Sequence, residues 1–225
     1  DRDWLRHESF DEYWKSISDE ERFNKIRVPT QTLGGWFDIF LMGTINGYTG
    51  MRKNGATTEA REGARMIIGP WGHGPTRTFG GVDFTPDAML DMFQFHLLCY
   101  DYYLKGINTG IEKEKPVKLF YMGVNSWRFE DDWPIPGTKF TEFYLESNGK
   151  ANSVRGNGKI VMSKPSKSVA DTYTYDPLNP VPTTGGNNCC GTPTMAGPYD
   201  QRPLEKREDL LVYTSDFLDD TVTVA

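Results

Sequence analysis

Cysteine is scarce in this chain of 225 residues: there are three, two of them adjacent at Cys189 and Cys190. That excludes a disulfide framework of the kind that staples small domains, and it offers no spaced set of zinc ligands. Basic residues are also in deficit, 25 Lys and Arg against 31 Asp and Glu, with no basic run. A net charge of −6 argues against a nucleic-acid partner. No apolar run approaches the ~20 residues that a membrane-spanning helix needs. No signal peptide is visible either, an absence without weight if the chain is a piece of a longer one. What is present reads as folded protein: 37% hydrophobic, 25% charged, and long enough for a sizeable core, with two domains as the expectation.

The most informative stretch is residues 28–74. Two short apolar runs each lead to a glycine, a tryptophan and then a titratable residue. The first is Gly34-Gly35-Trp36-Phe37-Asp38 after a strand predicted over residues 30–33; the second is Gly69-Pro70-Trp71-Gly72-His73 after the apolar run Met66-Ile67-Ile68. Between them, residues 39–53 have helical character. Strand, helix, strand is the pattern of a βαβ unit, whose parallel strands need a crossover of about a dozen residues or more. Reacting groups in such sheets gather beyond the carboxyl ends of the strands. Asp38 and His73 stand at two such ends, as a carboxylate must if it is to orient an imidazole. The competing reading makes Asp38 a helix N-cap, a role for which Asp is well suited.

The flanking segments are plainer. Residues 1–25 read as one or two short helices, with Phe10, Trp14 and Ile17 at helical spacing and a capping box over Ser18-Asp19-Glu20-Glu21. His7 reads as a surface histidine without a partner. Thr85-Pro86 is predicted to open the best helix of the chain, carrying Met89, Phe93, Leu97, Tyr100 and Leu104 on one stripe and ending at Gly106. His96 and Cys99 fall on or beside that stripe and read as core residues. From residue 116 onward short alternating segments recur at intervals of roughly ten to fifteen residues, an all-β signature. The candidate strands are 117–122, 141–145, 159–162, 171–175, 210–214 and 221–224. Long Pro/Gly-rich connections favour a jelly roll or Greek key, and the chain stops within the last alternating run, so that sandwich is expected to be incomplete.

Several of these stretches resemble the CocE/NonD hydrolases, a family that includes cocaine esterase, α-amino acid ester hydrolase, glutaryl-7-aminocephalosporanic acid acylase and X-prolyl dipeptidyl peptidases. Gly35-Trp36-Phe37-Asp38 is similar to the family's motif around the triad acid, and Gly69-Pro70-Trp71-Gly72-His73 to the motif around its base. The stretches at 121–127, 132–134, 175–182, 200–203 and 209–215 resemble its C-terminal β-domain. The resemblance implies an α/β plus all-β chain. Residues 1–115 would be the C-terminal part of an α/β-hydrolase domain, of which 1–25 is the remnant of a helical cap. Residues 116–225 would be the first part of a jelly-roll β-sandwich. The order Asp then His agrees with the hydrolase-fold order of Ser, Asp and His.

One departure stands out: no Gly-x-Ser-x-Gly elbow occurs in the 225 residues. Ser126 lacks the second glycine and the strand-to-helix setting that an elbow requires. The resemblance therefore implies a fragment of a serine hydrolase whose nucleophile and oxyanion-hole tyrosine lie upstream, inactive alone. Its partners would be the missing N-terminal hydrolase segment and a small-molecule ester or amide substrate, with no cofactor, metal, nucleic acid or membrane, and with homo-oligomerisation left open. Trp36, Phe37, Phe40 and Trp71 are the candidates to line the acyl pocket, packing of the sheet end being their alternative role. The rival function is a β-sandwich module for carbohydrate or protein recognition, attached to a non-catalytic hydrolase remnant.

Overall fold

A computed structural model describes residues 2–167, 169–188 and 195–224; Cys189 and Cys190 lie outside them. The chain divides into two compact units, Asp1–Pro136 with Gly186–Pro198, and Gly137–Gly185 with Tyr199–Ala225.

In the first unit, helix α1 (Glu12–Ile17) is capped by Asp11, whose carboxylate accepts the Tyr13 N–H. Ser18 is the residue that ends this helix, so the capping box expected there does not form. The chain instead turns, with the Arg22 N–H on the Asp19 carbonyl at 2.8 Å, and delivers Phe23 to a single 3-10 turn (Phe23–Lys25). Phe23 lies against Gly50, where a Cβ would come within 2.0 Å of its ring. A docked aromatic here overrides a local capping signal worth only about 1 kcal/mol.

The predicted βαβ unit is present. Strand β1 (Gln31–Gly35) leads to helix α2 (Leu41–Asn54), the short helix α3 (Thr58–Glu62) and strand β2 (Arg65–Gly69). β1 and β2 run parallel, with Leu33 opposite Ile67 and Gly35 opposite Gly69. Every residue of β2 is buried, as a central parallel strand requires. Tyr48 and Met51 of α2 meet Ala60, Ala64, Met66 and Ile68 in the main core, joined there by Val117 and Leu119.

The last two contacts show that the sheet does not stop at the expected boundary after residue 115. After the hairpin β3 (Thr78–Phe79) and β4 (Val82–Asp83) and helix α4 (Met92–Lys105), strand β5 (Val117–Tyr121) pairs parallel with β2. Strand β6 (Ser126–Glu130) then pairs antiparallel with β5, and the sheet order is β1-β2-β5-β6. Of the candidate strands beyond residue 116, the first is β5, and it completes the α/β sheet together with β6, a strand absent from the candidates.

Helix α4 begins later than Pro86. Residues Pro86–Ala88 form one 3-10 turn, the chain becomes extended at Met89, and Asp91 caps the true helix through the Gln94 N–H. The cause is two tryptophans: Trp71 donates its indole N–H to the Ala88 carbonyl at 2.9 Å and Trp127 to the Asp87 carbonyl at 2.6 Å. Those carbonyls are the ones a continuous helix would have used. The C-terminal end is as expected, with Gly106 in the left-handed region at φ 68°. The apolar stripe is not a core face: Phe93 and Leu104 are 78% and 77% exposed. Cys99 is buried as expected, its thiol pushed up by burial, whereas His96 is exposed.

The second unit holds a three-stranded sheet of β7 (Tyr144–Glu146), β8 (Gly158–Val161) and β9 (Tyr213–Thr214), in that order. β7 and β8 are antiparallel, β8 and β9 parallel. The described residues 171–175 and 221–224 contain no strand. Asp171 instead makes a side-chain knot, accepting from Ser147 and Tyr213 hydroxyls at 2.6 Å each and from the Ala151 N–H at 2.9 Å. These bonds hold its carboxyl below the usual carboxylate range.

Two predictions follow from this packing. Ile68→Ala, at a fully buried position, is expected to lower unfolding free energy by about 2–5 kcal/mol, read from the urea midpoint at unchanged m-value. Because the Asp171 pKa is lowered on folding, its contribution is present above the unfolded value of about 3.9 and is lost as pH falls through the folded one. Asp171→Asn should therefore flatten the acid limb of the melting temperature against pH.

Candidate active site

The site is built where β1 and β2 end side by side. The Trp36 N–H donates to the Gly69 carbonyl at 2.9 Å, the Phe37 N–H to the Trp71 carbonyl at 3.0 Å, and the Asp38 N–H back to Gly35 at 3.0 Å. The two chain exits are therefore stitched together by main-chain bonds. Gly35 makes that possible, since a Cβ at this position would stand 2.0 Å from the Trp71 carbonyl oxygen and 2.5 Å from that of Gly72. The approach is closer than any residue with a side chain permits.

Asp38 and His73, 35 residues apart in sequence, are brought together: Asp38 Oδ2 lies 3.1 Å from His73 Nδ1. The carboxylate is 6% exposed, the imidazole 70%. Asp38 Oδ1 accepts the Phe40 N–H at 3.0 Å, and the Asp38 main-chain carbonyl accepts the Leu41 N–H that starts α2. The capping and orienting roles weighed from sequence are thus divided between the two oxygens of one carboxylate. An ionised carboxylate only accepts, so the bond places the proton of a neutral ring on Nδ1 and leaves the Nε2 lone pair facing outward. The edge-on ring of Phe40 lies 5.3 Å from the imidazole, centroid to centroid.

The four aromatic candidates separate. Trp71 has no exposed surface and gives its N–H to Ala88. Trp36 is half-buried against the main core and Trp133, with its N–H on the Phe120 carbonyl at 2.8 Å. Both indole N–H groups are bonded to main-chain carbonyls at the sheet end, in keeping with the packing role weighed as the alternative for these residues. Phe37 packs against Phe79 at 6.1 Å. Only Phe40, 55% exposed, stands open beside the dyad.

Two features escape sequence reading. His7 does have a partner: its Nδ1 is 2.6 Å from Asp11 Oδ2 and its ring stacks on Tyr13 at 4.3 Å. That pair is local, four residues apart, and its carboxylate is 39% exposed, so it lacks the buried acid of the other. The second is Asn187, whose Nδ2 donates to the Asp38 carbonyl at 3.3 Å across 149 residues of sequence; no local pattern signals a contact of that span. No group of His, Cys, Asp and Glu among the described residues is arranged to hold a metal ion. A cavity of about 240 Å³ lies elsewhere, lined among others by Arg65, Leu98, Ile111 and Lys118.

Residues 1–75 match the X-Pro dipeptidyl-peptidase (S15 family) and residues 109–224 the X-Pro dipeptidyl-peptidase C-terminal non-catalytic domain. The chain belongs to this family of CocE/NonD and X-Pro dipeptidyl-peptidase hydrolases. It is 35% identical over 224 residues to a cocaine esterase of Rhodococcus sp. (strain MB1 Bresler), covering 97% of this chain and 37% of that one. A putative serine esterase of Mycobacterium bovis is 33% identical over 120 residues, 51% of this chain and 17% of its own. An aminopeptidase from a marine sediment archaeon, Thaumarchaeota archaeon, superposes with a TM-score of 0.69 at 24% identity, covering 93% of this chain and 35% of that one; this likeness concerns the fold. The chain thus spans little more than a third of the length of the cocaine esterase and of the aminopeptidase. Asp38 and His73 both fall within the S15-family match, and the second match begins at residue 109, before β5 and β6 complete the sheet.

Gly35→Ala tests how the two strand ends are joined. The added methyl meets main-chain oxygens that cannot swing aside, so the change is expected to cost about 1–3 kcal/mol or more. It should also break the Asp38–His73 bond, visible as loss of the imidazole Nδ1–H resonance; a retained resonance would contradict the steric account.

Proposed function

We propose that this chain supplies the acid and the base of a Ser-His-Asp triad in a serine hydrolase of α/β-hydrolase type, acting on an ester or amide. The observation that carries the reading is the Asp38 Oδ2 to His73 Nδ1 contact of 3.1 Å, with the acid buried and the base exposed. The nucleophilic serine belongs to a part of the protein outside these 225 residues, which hold no Gly-x-Ser-x-Gly; Ser126 opens the antiparallel strand β6 and is not the nucleophile. The second unit is the beginning of a jelly-roll β-sandwich, in keeping with its short strands and long connections.

The chemistry follows from the tautomer. The serine hydroxyl attacks the substrate carbonyl while His73 Nε2 takes its proton. Asp38, fixed by Phe40 and Leu41 N–H groups, holds the ring in place and stabilises the imidazolium that forms. The tetrahedral adduct collapses when His73 returns the proton to the leaving alcohol or amine. Water then repeats the cycle on the acyl-enzyme, releasing the carboxylic acid and the free serine. Phe40 is the wall of the acyl site nearest the base. The 225 residues alone carry out none of these steps.

In the longer polypeptide, His73→Ala is expected to lower kcat by about 10⁴-fold or more, and Asp38→Asn by about 10⁴-fold, with little loss of stability for the exposed His73. Wild-type turnover in His73→Ala would remove it from the mechanism. Failure of any serine in that polypeptide to react with a fluorophosphonate would favour a β-sandwich binding module instead.

A further inference from the structure

The domain to which residues 109–224 belong is described as non-catalytic, yet part of it reaches the acid of the dyad. Residues 186–198 belong to the first compact unit, not the second. Gly186 and Gly197 exchange both main-chain hydrogen bonds, at 2.8 and 3.0 Å, which closes the base of this excursion. Its descending side packs flat on the β3–β4 turn: a Cβ on Gly80 would be 2.5 Å from Pro198 Cδ, and one on Gly197 would be 3.0 Å from the Gly80 backbone.

From that turn the contact continues to the dyad. The Phe79 ring lies where a Cβ on Gly197 would be 3.1 Å away and a Cβ on Gly72 only 2.7 Å away, and it packs on Phe37. Gly72 and Phe37 are the neighbours in sequence of His73 and Asp38. On the ascending side Asn187 donates directly to the Asp38 carbonyl. That oxygen already accepts the Leu41 N–H, so Asn187 adds a tie to Asp38 from outside residues 35–73.

We infer that Asn187 is a positioning residue for the Asp38–His73 dyad, contributed by the C-terminal family domain and holding the acid in register with the base. The inference rests on the triad reading given above. Asn187 touches no reacting atom; it acts through the Asp38 backbone. The two ends of residues 186–198 serve one purpose, Asn187 fixing Asp38 from one side while Gly197 backs the Phe79 ring against Gly72 and the Phe37 ring.

The test uses the longer polypeptide that contains this chain and its serine, with 4-nitrophenyl acetate as substrate. Asn187→Ala removes the donor, and about a tenfold fall in kcat is expected, short of the roughly 10²-fold that a 1 Å misplacement can cost, with KM unchanged. Asn187→Asp keeps the shape but replaces the donor by an anionic oxygen near the dyad. The added negative charge favours the imidazolium, so the acid limb of kcat/KM against pH should move to higher pH relative to wild type, a change that general destabilisation does not produce. Asn187→Gln, which restores an amide donor, should recover part of the lost kcat. Melting temperatures and titration of the serine with a fluorophosphonate normalise each rate to folded, active protein. Normalised rates and pH profiles equal to wild type in both the Ala and Asp variants would overturn the assignment, as would a loss confined to KM. If His73→Ala itself retained wild-type turnover, the triad reading would be the one to fall; if His73→Ala is inactive and the Asn187 variants are normal, only the role of Asn187 falls.

Discussion

The site depends on one close approach. Two parallel strands end level with each other, and Gly35 lets the chain leaving β1 lie against the carbonyls of Trp71 and Gly72 leaving β2. Everything that matters chemically is downstream of that contact. With the exits joined by main-chain bonds, Asp38 and His73 have little freedom to separate, and the carboxylate is buried while the imidazole remains in reach of solvent. Burial of the acid is affordable because its oxygens are met by a backbone N–H and a ring N–H, which is the condition for keeping a carboxylate out of water.

The same chain contains a second Asp–His pair, and the contrast explains why only one is proposed as a site. His7 and Asp11 sit on a short N-terminal segment, four residues apart, with the acid 39% exposed against 6% for Asp38. Their hydrogen bond is shorter, and it holds the Asp11 carboxyl below its usual range. Distance alone therefore does not mark a catalytic dyad. What marks it is an acid fixed by the fold and a base left with an open nitrogen at the end of a parallel sheet.

Much of this was legible in sequence because it is local. Gly-Trp followed by a titratable residue at the ends of two apolar runs placed β1, α2, β2, Asp38 and His73. The errors share a cause, which is tertiary bonding that competes with a local signal. Trp71 and Trp127 take the carbonyls of Ala88 and Asp87, so the helix predicted from Pro86 starts at Met92. Phe23 docks on Gly50, and the capping box at Ser18 gives way to a turn. The indole N–H groups of Trp36 and Trp71 are bonded to the Phe120 and Ala88 carbonyls, in keeping with the packing role that the sequence left open beside the pocket role. Strand β6 went unread although its Trp127 packs on the Phe84, Ala88 and Phe120 cluster, because that contact is tertiary and the strand lies at the sheet edge. Asn187 was beyond sequence reasoning altogether, since nothing near it records a contact 149 residues away.

The central claim is the state of one ring, and nitrogen-15 NMR of His73 reads it most directly. For the neutral ring, the account predicts a single tautomer with the proton on Nδ1, hydrogen-bonded to Asp38, and a bare Nε2. A ring protonated on Nε2, or one averaging freely between both tautomers, would mean that the carboxylate does not hold it, and the hydrolytic reading of the site would fail with it.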